Sequence, residues 1–116
     1  MAQVPKRLGA ITPPTATITT PTLLYTCVTT SAIVTTIAVC NASGSDQNYR
    51  IAIVAGTPAY PTSPDVTGYI IYNNLLPKDT TEFIPVGFTL DLNNKFLLCS
   101  ASSTSVTFSA FGFEVS

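Results

Sequence analysis

The chain has 116 residues, a formal net charge of −1 and no His. Charged residues make up 9% of it, against about 25% in an average soluble protein, while the hydrophobic share of 46% is ordinary. One small domain is the natural reading, and three function classes are disfavoured: a nucleic-acid binder, which needs clustered Lys/Arg; a His-dependent enzyme; and a helical membrane span, since no apolar run approaches 18 residues.

Four of the nine prolines, Pro5, Pro13, Pro14 and Pro21, fall in Met1 to Pro21. Proline fixes φ and removes a ladder donor, so this segment reads as an extended N-terminal arm (residues 1–21) outside the sheet interior. Its start, MAQVPKRLGA, lacks the apolar core of a secretory leader. Val4, Leu8 and Ile11 are apolar side chains with no evident home in an arm. With Lys6 and Arg7, the one basic pair, they are candidate assembly contacts.

Residues 22–116 read as a single β domain. Thr22 to Val28 is the first strand. Ser31 to Ala55 follows as two strands joined by the turn-rich Asn41 to Asp46. Ile33, Thr35, Ile37 and Val39 alternate with Val34, Thr36, Ala38 and Cys40. Tyr49, Ile51 and Ile53 alternate with Arg50, Ala52 and Val54. Period two is the strand period, and β-branched residues suit a pleated surface. Both faces are apolar, which predicts a hairpin in mid-sheet, covered on both sides.

Gly56 to Asp65 holds three prolines and reads as a long exposed loop, with Tyr60 its candidate contact residue. Four more strands follow: Gly68 to Asn74, Thr80 to Phe88, Lys95 to Ala101 and Ser105 to Val115. Pro85 and Gly87 mark a bulge or an edge in the second of these. About seven short strands and essentially no helix predict an all-β fold, an antiparallel β-sandwich or jelly-roll-like barrel.

No catalytic constellation is legible. The six carboxylates lie mostly in predicted turns, and Asp79 with Glu82 reads as a solvated pair rather than a glycosidase pair. Cys27, Cys40 and Cys99 are widely spaced and lie inside strand patterns, which predicts buried reduced thiols and no metal site. Asn41-Ala42-Ser43 matches a glycosylation sequon, a weak signal without a secretory leader. No cofactor is expected, and the chain reads as a non-enzyme.

Low charge leaves a neutral, hydroxyl-rich surface, with nineteen Thr and ten Ser to supply it. A free monomer usually keeps itself soluble with charge, so the composition predicts burial against copies of itself or a larger assembly.

Several stretches carry a resemblance: KRLGA at Lys6 to Ala10, LLYT at Leu23 to Thr26, Ile33 to Asn41, YRIAI at Tyr49 to Ile53, Tyr69 to Tyr72, Gly87 to Leu90, and Val106 to Val115. Together they resemble small virion structural proteins of tailed bacteriophages, including those infecting cyanobacteria. The Pro-rich loop from Thr57 to Pro64 departs from that pattern by its length. The resemblance implies a virion component assembled in the host cytoplasm, with the major capsid protein or another virion protein as partner. A decoration or cement protein on the outer head surface is the first expectation. A homo-oligomer of three copies would suit threefold sites of an icosahedral shell. A neck, tail or fibre-attachment protein is the alternative. A carbohydrate-binding module with Tyr60, Tyr69 and Tyr72 as a stacking platform is a second.

Overall fold

The computed structural model describes residues 3–14, 16–55 and 68–115, and side chains from Lys6 onward. Eight strands follow one another: β1 Gln3–Ile11, β2 Thr22–Thr26, β3 Ser31–Asn41, β4 Gln47–Val54, β5 Tyr69–Leu76, β6 Thr80–Asp91, β7 Phe96–Ala101 and β8 Val106–Val115. They form two antiparallel four-stranded sheets. Sheet A has the order β1-β8-β3-β6 and sheet B the order β2-β7-β4-β5. The first half of the chain thus pairs with the second half in reverse, β1 with β8, β2 with β7, β3 with β6 and β4 with β5. A long hairpin rolled in this way is an eight-stranded jelly roll. The all-β sandwich expected from the sequence is the fold.

Three expectations are corrected. Residues 3–11 are a strand and not a free arm: β1 pairs with β8 from Gln3↔Val115 to Ile11↔Phe108. β1 is an edge strand, the position in a sheet that tolerates proline. Next, β3 and β4 are both central strands, but they do not form a hairpin. One lies between β8 and β6 and the other between β7 and β5, so the Asn41–Asp46 turn crosses from sheet to sheet. Last, Ile33 and Ile37 do not share a face. A bulge between Val34 and Thr36 resets the alternation, so Ala32, Val34, Ile37 and Val39 are all buried while Ile33 turns outward.

The core lies between the sheets. Tyr49, Phe108, Ile37, Ile51, Leu76, Leu90 and Leu97 are its largest members, and Tyr49 meets Phe108 edge to face at 6.0 Å. A second apolar cluster, Ala52, Val54, Phe96 and Leu98, sits on the outer face of sheet B. The β1–β2 connection is tied to that face by Ser100, whose hydroxyl donates to the Ile18 carbonyl at 2.6 Å. Gly112 permits close passage of β8 over the β3 bulge, because a Cβ there would overlap the Ile33 carbonyl. The three cysteines are free thiols; Cys27 and Cys99 are buried and Cys40 is half-buried. Burial pushes the Cys99 thiol far above its ordinary range, which makes it inert.

Candidate functional site

Cross-strand neighbours share a face, so the register defines the outer surface of sheet A. One row across β6, β3, β8 and β1 runs Phe83, Ala38, Ser109, Ala10. The next runs Pro85, Thr36, Phe111, Arg7. A further row brings Thr89, Ile33 and Phe113 together. On the other side Thr81, Cys40 and Thr107 align, and Thr12 meets Thr107 hydroxyl to hydroxyl at 3.0 Å. Phe83 is 70% exposed.

Among the described side chains only two charges reach this face, both at its margin. Arg7 lies on the edge strand β1. Asp91 ends β6, where its carboxylate accepts the Asn93 and Asn94 N–H groups at 2.8 and 2.9 Å and caps the turn. The middle of the sheet is hydroxyl, small and aromatic. All four edges are blunted. Pro5 and a bulge after Arg7 interrupt β1, Pro85 beside a bulge interrupts β6, bulges interrupt β5, and β2 is five residues long. Association by strand addition is therefore disfavoured, and a contact would use the face.

The expected contact residues are dispersed. Leu8 and Ile11 pack against the main core, so their apolar groups serve the fold. Lys6 pairs with Glu114 at 2.6 Å, and Tyr25 donates to the other Glu114 oxygen at 2.6 Å. This triad ties β1, β2 and β8. The bonds from Lys6 and then Tyr25 hold the Glu114 carboxyl below its ordinary range, while burial and the same carboxylate push the Tyr25 phenol well above its own. Arg7 alone of the basic pair points to the outer face of sheet A, exposed. The Val4 side chain and all of Tyr60 lie outside the described residues.

Tyr69 and Tyr72 do meet, at 5.1 Å, but edge to face with 81° between planes. Arg50 stands over the Tyr72 ring at 4.1 Å, and its Nε donates to the Asn73 side chain at 2.6 Å. Asn73 has a left-handed φ of 52°, a region asparagine tolerates. Two perpendicular rings, with the Arg50 guanidinium 4.1 Å from one centroid and 5.6 Å from the other, are not the flat platform that sugar stacking uses. Among the described residues no group of three or more His, Cys, Asp or Glu is placed to hold a metal.

The exposed Phe83 was missed in the sequence, though a signal existed. Along β6, Ile84, Val86, Phe88 and Leu90 form the richer apolar set and turn toward the core. The sparser set, Thr81, Phe83, Pro85 and Thr89, is left outside. The sequon is likewise a structural residue: Asn41 is 1% exposed, and its side-chain amide donates to the Ser45, Leu76 and Pro77 carbonyls.

Fold and surface together define a jelly-roll sandwich with one outer sheet face whose middle carries no charge among the described side chains. No family model, curated protein or solved structure matches the chain.

Proposed function

We propose that the chain is a structural subunit of a bacteriophage particle, with decoration of the outer head surface as its role. The observation that carries this reading is the uncharged middle of the sheet A outer face, with a 70% exposed Phe83 on it. A neutral face with an exposed aromatic on it is a candidate protein-contact surface. Jelly rolls are frequent in viral shells, which supports the reading at the level of fold analogy. So does the resemblance of the strand sequences to small virion proteins. The partner is the major capsid protein or another virion protein.

Counting copies of the chain in purified particles by quantitative mass spectrometry tests the proposal. Hundreds per particle are expected for a head protein. A dozen or fewer would move the chain to the neck, tail or fibres, and its absence from particles would overturn the reading.

A further inference from the structure

Resting on this assembly reading, we infer that the outer face of sheet A packs against the same face of a second copy of the chain, about a two-fold axis parallel to the strands. Three features select a copy of itself as occupant.

The first is charge. In a contact of a surface with itself, any charge near the axis meets its own like charge. The middle of this face has none, and Arg7 and Asp91 sit at opposite margins, on β1 and at the end of β6. A foreign partner chosen by charge complementarity would find almost nothing here to read.

The second is shape. A two-fold axis along the strands keeps each row and reverses the strand order, so β6 of one copy lies over β1 of the other. Phe83 then faces Ala10 and Phe111 faces Thr36, a large side chain over a smaller one, while Ile33 meets Phe113 as an apolar pair in the remaining row. The centre of the Phe83 row is Ala38 over Ser109, small on both sides, which lets the sheets approach.

The third is area. Four strands about 4.8 Å apart and about nine residues long give a face of about 600 Å², or about 1,200 Å² for the pair when the whole face is covered, the lower limit of specific interfaces. Strand addition, the competing route, is blocked by Pro5, Pro85 and the edge bulges.

Sedimentation equilibrium of the full chain tests this without any particle. The monomer mass is 12.2 kDa, and the expected species at micromolar concentration has twice that mass. Phe83→Glu should return it to the monomer while leaving its thermal melt cooperative, since Phe83 is 70% exposed. Leu75→Glu, the same change at an exposed residue of β5 in the other sheet, should leave the dimer intact. A monomeric wild type, a trimer, or a dimer lost with Leu75→Glu and kept with Phe83→Glu would each overturn the inference. None of these results bears on copy number in particles, so the functional reading can survive that failure or fail separately.

Discussion

Asn41→Asp is the substitution whose cost follows most directly from the structure. Asn41 closes β3 where the chain crosses from sheet A to sheet B. Its Nδ2 donates to the Ser45 carbonyl at 3.0 Å, Leu76 at 3.1 Å and Pro77 at 3.2 Å, and its Oδ1 accepts from the Ser43 N–H at 2.9 Å and hydroxyl at 2.7 Å. One buried side chain thus clamps the β3–β4 crossing onto the end of β5 and the turn into β6. Aspartate has the same shape but no N–H. Two donor hydrogens vanish, and a carboxylate oxygen faces three carbonyls. The Ser45 carbonyl keeps the Ser43 hydroxyl at 2.8 Å, but each acceptor left without a partner at Leu76 and Pro77 costs about 1–3 kcal/mol, so we expect a loss of about 3–5 kcal/mol at pH 7. That is a large part of the roughly 5–15 kcal/mol of a whole domain, and about 15 °C in Tm. The pH dependence has a fixed sign. Burial against carbonyls raises the folded-state pKa of the new carboxyl above its unfolded value of about 3.9. Protonated, it donates one hydrogen bond again. The deficit should be smallest below about pH 4 and should grow as pH rises through the folded-state pKa. Urea denaturation of both proteins across pH 3.5 to 7.5 reads this out. A variant as stable as the wild type at pH 7, or a deficit that ignores pH, would refute the clamp.

Deleting residues 1–11 should lower Tm sharply and expose β8 to proteolysis, because Leu8, Ile11 and the Lys6–Glu114 pair belong to the sandwich; an unchanged melt would restore the free-arm reading. Gly112→Ala should cost about 3 kcal/mol or more, since the added methyl meets the Ile33 backbone, which cannot move aside as a side chain could; a melt within a degree of wild type would refute that. Glu114→Gln removes a carboxyl held below its ordinary range by Lys6 and Tyr25. The depressed group contributes stability above the unfolded pKa of about 4.3 and loses it as pH falls through the folded value, so the gap in Tm between the two proteins should be widest near pH 6–7 and close toward pH 3. A gap that is constant with pH would contradict the triad.

Strand identity was legible because period two and β-branched composition act locally. The edge character of β6 was readable from Pro85 and Gly87 for the same reason. Connectivity was not. Nothing near Asn41 to Asp46 distinguishes a hairpin from a crossing between sheets, because that choice is made by the distant carbonyls of Leu76 and Pro77, which Asn41 reaches. The bulge at Thr35 is equally silent, since Ile33 and Ile37 both look like core residues until β8 and β6 fix the register. β1 was read as an arm because proline was weighed against the sheet as a whole rather than against its edge. The scarcity of charge was legible as a composition, but not the face of the fold that it leaves neutral. Phe83, Phe111 and Phe113 come onto one face only through pairings that span most of the chain.

A three-dimensional reconstruction of the phage particle to which the proposal assigns this chain would bear most directly on its role. The expected density is a jelly-roll sandwich on the outer head surface, with Phe83 and Phe111 buried in a protein contact. Particles in which the chain is absent, or present with the sheet A outer face open to solvent on every copy, would contradict a structural role built on that face.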